Sequence, residues 1–380
     1  MSSPVIGIDA SRAVRPADQR TGTEQYARRL IQHLAPLLAQ HRPPPALRLY
    51  SDAPPDPDLR ITPASWRIMP FRRLWTHLRL STEMALHPPS VLFVPAHVLP
   101  LWRPARTLVT VHDLGYLHFP DAHPTLQRRY LAWSTRWNAR VATRVLADSQ
   151  ATAHDLVHHL GTPAAKIRVV YPGFDVPREQ TNAPALDDVW QRYKVQPPYV
   201  LVVGTLQPRK NLGRLAHAFR QVLAAWPGGG SPPQLVLAGR PGWLSEQVLS
   251  DIASAGLGDA VRLTGYVPAA DLSALLAGAA VLAFPSLYEG FGFPILEAQA
   301  AGVPVMTSNT SSCPEVAGDG ALLVDPLDVA GMAAGLHRLL SDADLRARLV
   351  QRGRENILRF SWEQTARQVL EVLDELLAGD

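Results

Sequence analysis

At 380 residues, 47% of them hydrophobic, the chain is too long for one ordinary core and predicts two domains. A net charge of +4, from 37 basic and 33 acidic residues, is too mild to argue for nucleic acid, and no dominant basic block occurs. The single cysteine, Cys313, excludes a disulfide framework and a cysteine-rich metal site, and no apolar run is long enough to predict a membrane-spanning helix. A reducing, cytoplasmic setting is the expectation that follows.

The opening segment PVIGIDA (4–10) reads as a buried strand, not as a signal peptide. In the next segment Tyr26, Leu30, Leu34 and Leu38 recur every fourth residue, which predicts one apolar helix face. Thr21 and Glu24 have the spacing of a capping box at its start. Further strands are predicted at LRLYS (47–51), SVLFVP (90–95), TLVTVHD (107–113), TRVLAD (143–148) and KIRVVYP (166–172), with helical patterns between most of them. Residues 172–198, rich in proline and polar side chains, read as a linker. The alternation restarts at YVLVVG and continues through QLVLAG, AVRLTG, AVLAFPS, VPVMTS and ALLVDP. Two consecutive βα arrays predict an α/β protein of two doubly wound parallel-sheet domains, with ligands beyond the carboxyl ends of the strands. A cleft between the domains is the natural expectation for the site.

The stretch YEGFGFPILE (288–297) carries the clearest chemistry. It is expected to run from the end of a strand, at Glu289, into a helix with Pro294 at its first position and Glu297 in its first turn. Gly290 and Gly292 let the backbone approach a ligand, and the loop N–H groups and helix dipole favour an anion such as a phosphate. Two carboxylates are poor phosphate ligands but good acceptors for hydroxyls on either side of one, an arrangement that a sugar nucleotide supplies. A helix N-terminus with favourable acids is the plainer reading of the stretch taken alone. A second motif, GTLQPRKNLGRL (204–215), follows the first strand of the second array. Asn211 is expected to cap its helix, and Arg209 and Lys210 stand just before it, where two cations can neutralise a diphosphate leaving group. Neither a Walker sequence nor G-x-G-x-x-G is present, which speaks against an ATPase or a nicotinamide dehydrogenase.

With LTGYVP and AQAAGVPV, these motifs resemble the retaining glycosyltransferases of family 4, and bacterial mannosyltransferases among them, over essentially the whole chain. The resemblance implies a GT-B fold: two Rossmann-like domains facing a cleft, with the C-terminal helix crossing back to the first. The implied boundaries are an acceptor-side domain at 1–176, a linker at 177–198, a nucleotide-sugar domain at 199–360 and a crossover helix at 361–380. It implies that Glu297 accepts from the ribose and that Glu289 meets the transferred sugar near the reacting carbon. The backbone of Gly290, Phe291 and Gly292 belongs to the donor site, Lys210 binds phosphate and Arg209 assists. Thr205 stands where many members carry an arginine, so Arg209 is expected to replace that contact. Tyr266 and Val267 match the segment lying against the base, Gly22 the small-residue loop that closes over the diphosphate, and His112 a histidine near the donor sugar. His112 and Glu289 are thus the expected catalytic residues, and Asp113 and Arg72 are candidates for the acceptor.

The implied reaction moves a hexose, with mannose preferred, from a nucleotide-diphosphate sugar to a glycan or lipid-linked acceptor with retention. GDP-mannose is preferred over UDP-sugars as donor. Metal is expected to be unnecessary, since Arg209 and Lys210 take its role, and DPD (56–58) and DAD (342–344) read as chance matches to a metal motif. The alternatives are a sugar-nucleotide epimerase on the same fold and a non-catalytic nucleotide-sugar-binding partner. Two basic, aromatic stretches, 71–86 and 128–140, have the composition of helices that dock peripherally on the inner face of a membrane. Packing of their apolar faces into the chain's own domain is the commoner outcome and the favoured expectation.

Overall fold

The computed structural model describes residues 3–16, 20–61, 63–71, 73–96, 98–122, 124–176, 184–227 and 230–379. It divides into two compact units: Met1–Leu114, Thr125–Asp175 and Phe360–Asp380 form the first, and Gly115–Pro124 with Val176–Arg359 the second.

The first unit is built on seven parallel strands: β1 (Val5–Asp9), β2 (Ala46–Ser51), β3 (Ala64–Ile68), β4 (Val91–Val94), β5 (Thr107–Val111), β6 (Arg144–Ala147) and β7 (Ile167–Val169). Their order is β3-β2-β1-β4-β5-β6-β7. The second unit has six: β8 (Tyr199–Val203), β9 (Gln234–Ala238), β10 (Val261–Gly265), β11 (Val281–Phe284), β12 (Val305–Ser308) and β13 (Ala321–Val324), in the order β10-β9-β8-β11-β12-β13. These strands are parallel too. Both sheets reverse their winding once, between β1 and β4 and between β8 and β11. The loops leaving those strands at their carboxyl ends diverge there and leave room for a ligand.

Burial explains why the apolar runs form strands. β4, β5, β8, β9, β11 and β12 are buried along their whole length, as parallel strands covered on both faces must be. β3, an edge strand, was not read from the sequence: in Ala64–Ile68 its two large apolar residues, Trp66 and Ile68, are separated by an arginine and form no run. The helix Gly22–Leu38 buries Tyr26, Leu30, Leu34 and Leu38, the face that the periodicity predicts. At its start Thr21 and Glu24 form the expected capping box, in which the Thr21 N–H donates to Glu24 Oε2 at 3.0 Å.

The C-terminal helix Trp362–Ala378 contributes Trp362, Val369, Val372, Leu373 and Leu376 to the same core as Ile6, Ile8 and Leu30 of the first unit. Ser361 caps it, accepting from the Gln364 N–H at 3.1 Å. Gly173 admits it closely, since a Cβ there would lie 2.4 Å from the Trp362 nitrogen. The last helix therefore returns to the first unit although the chain reaches it from the second.

Three expectations need correction. Part of the expected linker is ordered as the helix Leu186–Tyr193, which buries Val189 and places Arg192 and Tyr193 on Asp271 at 2.6 and 2.8 Å; residues 177–183 lie outside those described. The ten residues Gly115–Pro124 belong with the second unit, where Trp243 Nε1 donates to the Asp121 carbonyl at 3.0 Å. The helix expected from residue 71 begins only at Thr76, as a π turn to Leu80 followed by Ser81–Leu86. Trp75 is drawn inward by donating Nε1–H to the Met69 carbonyl at 2.9 Å, while Phe71 and Leu78 remain exposed. The expected single apolar face is therefore split: Trp75 packs inward, and Phe71 and Leu78 do not.

Trp362 is 5% exposed and its ring centroid lies 5.9 Å from that of Tyr26. Trp362→Ala should lower the stability of the first unit by about 3–5 kcal/mol, read by denaturant unfolding. A loss well under about 1 kcal/mol would show that the last helix is only loosely held.

Candidate functional site

The reversal point of the second sheet holds a buried ion cluster. The loop after β8 carries Arg209 and Lys210 in the short turn Pro208–Lys210, and the loop after β11 carries Glu289. Lys210 Nζ lies 2.6 Å from Glu289 Oε1, and Arg209 binds the other carboxylate oxygen and the Tyr288 carbonyl, the latter at 3.1 Å. Glu289 and Lys210 are 7% and 8% exposed. Burial pushes the Glu289 carboxyl up, but Lys210 and Arg209 prevail and hold it below the ordinary carboxylate range. Burial and the neighbouring Arg209 lower the Lys210 ammonium against the pull of Glu289. Two cations and one anion leave the cluster with a net positive charge.

Local structure explains this placement. Gly204 adopts φ +137°, and a Cβ there would crowd the Lys210 Cε at 3.3 Å, so glycine leaves room for the lysine stem across the strand end. Phe284 lies under the ammonium, with Nζ 4.5 Å from the ring centroid. Asn211 occupies the cap position of the helix Leu212–Ala224 at φ +61°, but its side chain does not cap the helix as expected. Its Nδ2 donates instead to the Pro285 and Pro326 carbonyls at 3.2 and 2.6 Å, tying three loops together. Ser311 accepts from the Glu289 N–H at 2.8 Å, and the Ser311 and Ser312 hydroxyls donate to the Glu289 carbonyl at 2.6 and 2.9 Å.

The acidic motif is also shifted from its expected frame. β11 ends at Phe284, so Glu289 lies well inside the loop and not at the strand end. The following helix is Phe293–Ala300, with Gly292 as its cap at φ +126°. Pro294 is therefore the second helical residue and Glu297 stands in the second turn, because a proline is tolerated anywhere in the first turn. Burial pushes the Glu297 carboxyl upward, and none of the described residues pairs with it. Gly290 and Phe291 complete the loop, Gly290 half-buried and Phe291 buried against Phe293, 5.0 Å between centroids. His118 stacks on Tyr288 at 4.3 Å. Thr205 is exposed at the end of β8. Tyr266 is 58% exposed under the Arg240 guanidinium, 4.0 Å from its ring centroid, and Val267 is buried.

In the first unit His112 follows β5. Its Nδ1 lies 2.6 Å from Asp148 Oδ2, and Tyr26 packs edge-on against the ring at 4.9 Å. Burial opposes the charged ring, but Asp148 outweighs it and raises the imidazole above its ordinary value. Burial raises the Asp148 carboxyl as well. Nε2 is buried without a hydrogen-bond partner among the described residues. His112 lines a cavity of about 290 Å³ with Asp113, Thr21, Thr23, Arg12 and Tyr130. Gly22 lies between those two threonines as the first residue of its helix, and a Cβ on it would meet nothing within 4 Å. Neither packing nor backbone conformation requires glycine there. Arg72 lies outside the described residues.

Sequence reasoning missed Asp148, Ser311 and Ser312. Asp148 ends TRVLAD at the strand beside β5, and the serines follow β12, beside β11, so position at neighbouring strand ends was the available signal. The two Asp-x-Asp matches have structural roles. Asp56 receives Arg28 through both oxygens and Arg20 through one, and Asp342 caps the helix Ala343–Asn356.

The family model "Glycosyltransferase Family 4" matches residues 20–178, and "Glycosyl transferases group 1" matches 189–356. The O-antigen chain mannosyltransferase B of Escherichia coli is 34% identical over 307 residues, 79% of this chain and 76% of that protein. The MMP alpha-(1->4)-mannosyltransferase of Mycolicibacterium hassiacum is 31% identical over 248 residues, 63% of this chain and 56% of that protein, so the match spans little more than half of the latter. A solved sucrose-phosphate synthase from Thermosynechococcus elongatus superposes with a TM-score of 0.72 at 21% identity, covering 99% of this chain and 100% of that one, a likeness of fold.

Glu289→Gln should destabilise the second unit by about 3–5 kcal/mol, because it leaves Lys210 buried without its anion. Adding Lys210→Met should restore most of that loss in denaturant unfolding; a purely additive second loss would mean that the two do not act as a pair. For His112 the folded pKa is raised, so its pairing contributes stability fully below the unfolded value near 6.5, and that stability is lost as pH rises through the folded value. In Asp148→Asn burial remains without the anion, and NMR of the ring should show its titration moving below about 6.5. An unmoved titration would remove Asp148 as the group that charges His112.

Proposed function

Because this chain belongs to glycosyltransferase family 4 and has the GT-B fold, we propose that it transfers a hexose from a nucleotide-diphosphate sugar to a glycan or lipid-linked acceptor, retaining the anomeric configuration. Mannose is the preferred sugar and GDP-mannose the preferred donor, a preference supported by the mannosyltransferases among its relatives. One observation carries the reading: Arg209, Lys210 and Glu289 form a net-positive, buried cluster where the second sheet reverses, the place where such folds leave room for a phosphorylated ligand.

In this reading Arg209 and Lys210 take the diphosphate. Their fixed positive charge stabilises the leaving group as the C–O bond breaks, the role a metal ion would otherwise fill. The leaving diphosphate accepts the acceptor's proton on the same face of the sugar, so no protein base is needed, and the chain chiefly positions the groups. Glu289 keeps lone pairs beyond those used by the two cations and accepts from a sugar hydroxyl. Glu297, unpaired and in a dehydrated position, accepts from the ribose hydroxyls. Asp148 holds the Nδ1–H of His112, so Nε2–H is the donor that His112 offers to the transferred sugar.

Calorimetry with GDP, UDP, ADP and their sugar conjugates tests the donor assignment. GDP and GDP-mannose should bind selectively, and Glu297→Ala should weaken them by about tenfold or more through the lost hydroxyl acceptor. Selective UDP binding would overturn the base preference, and folded protein that binds no nucleotide would overturn the transferase reading.

A further inference from the structure

One helix of the first unit presents a pair of imidazoles that neither its core nor the sites described above use. The helix Gln150–Leu160 follows β6 and is fixed at both ends. Ser149 caps it, accepting from the Thr152 N–H at 3.0 Å, and Gly161 closes it in the left-handed conformation at φ +63°. Its buried residues are Thr152, Asp155 and Leu156, and they set its rotation. His154 and His158 therefore fall on the opposite side, and both are exposed. They stand four residues apart, one turn along the axis, where side chains of a helix meet. Their ring centroids lie 3.9 Å apart with 38° between the planes.

Two histidines at this spacing are the arrangement by which a helix offers two ring nitrogens to one metal ion. The helix sets their separation before any ion arrives, so chelation has only the side-chain torsions left to order. Burial does not explain the contact, since both rings face water. Imidazole nitrogen suits copper, nickel and zinc, whereas magnesium and calcium take oxygen ligands. Asp155 and His159 form a second pair at the same spacing, with His159 Nε2 3.7 Å from Asp155 Oδ1. Asp155 is buried, so this pair lies toward the core side of the helix and not with His154 and His158.

We propose that His154 and His158 together bind one divalent transition-metal ion, with water completing its coordination. Copper should bind more tightly than nickel or zinc, as it does to nitrogen ligands generally. The ion would tie together two turns of a helix whose start is joined to His112. Thr152 Oγ1 donates to the His112 carbonyl at 3.3 Å, and Asp148, which pairs with the His112 ring, stands two residues before Gln150. Metal bound there stabilises the helix against opening, because the unfolded chain does not hold the two rings together. The proposal is independent of the donor-site reading, since neither ring lines the His112 cavity or touches the Arg209–Lys210–Glu289 cluster.

Calorimetric titration of the full chain with nickel chloride, after EDTA treatment and dialysis, tests the proposal. His154→Ala and His158→Ala should each weaken the strongest nickel site by about tenfold or more, since loss of a mere outer-sphere partner of a metal ligand already costs about that much. The double variant should be little worse than either single one, because a chelate needs both rings. His159→Ala should leave the affinity within about twofold of native. Alanine is the best helix former and both positions are exposed, so the metal-free variants should unfold in denaturant as the native chain does. Saturating nickel should raise the melting temperature of the native chain and not that of the double variant. Absence of nickel binding by the native chain, or His154 and His158 variants that bind as native does, would overturn the proposal. So would a site lost in His159→Ala and kept in His154→Ala.

Discussion

The second unit is organised around a carboxylate that cannot be buried alone. Moving an isolated carboxylate out of water costs several kcal/mol, and Glu289 is 7% exposed. It is tolerated because Lys210 and Arg209 reach it from a different loop, 79 and 80 residues away in sequence. That requirement explains otherwise unrelated features. β8 and β11 must be neighbours so that the two loops meet. Gly204 must lack a side chain so that the lysine can cross the strand end, and Gly239 must lack one because a Cβ would lie 1.9 Å from the Gly204 carbonyl oxygen. Asn211, Ser311 and Ser312 fix the loops whose ends carry the charges.

A cluster held this way has its charges oriented before any ligand arrives. Charges already oriented need no reorganisation when a phosphate leaves, which is where most electrostatic catalysis comes from. The first unit repeats the principle with one ion pair. Asp148 supports the charge on His112 and occupies Nδ1, while Tyr26 blocks one side of the ring. Tyr26 in turn packs against Trp362 of the last helix. The return of that helix therefore completes the core and also backs the side chain that orients the imidazole. Both units hold a buried charge by a partner from the segment that follows a neighbouring strand.

What was legible in the sequence follows from the range of the interactions. The buried strands announce themselves because a parallel strand covered on both faces must be apolar along its length. β3 does not, because its apolar residues Trp66 and Ile68 are interrupted by Arg67 and form no run. The YEGFGFPILE and PRKN stretches could be singled out because each packs its chemistry into a dozen residues. Their direct contact could not be read, since it depends on the order of strands in a sheet. Asp148 was missed for the same reason: it reaches His112 across 36 residues of chain. The frame of the helix after Gly292 was off by one because proline's tolerance covers a whole turn, so its position dates a helix start only loosely.

The two acids of that stretch are chemically different although they are eight positions apart on one short segment. Glu289 faces two cations and stays ionised. Glu297 faces none, and burial alone drives its proton affinity upward. A carboxylate in that state gains most from hydrogen bonds that arrive with a ligand, because they stabilise the ionised form that the protein does not. If ribose hydroxyls are those donors, as proposed, binding draws the Glu297 proton affinity back down and must release protons at pH values near its raised value. Glu289 has no such coupling, because its charge is satisfied before the donor enters. One acid is thus built to be ready and the other to be completed, a division that follows from which of them lies beside the Arg209–Lys210 turn.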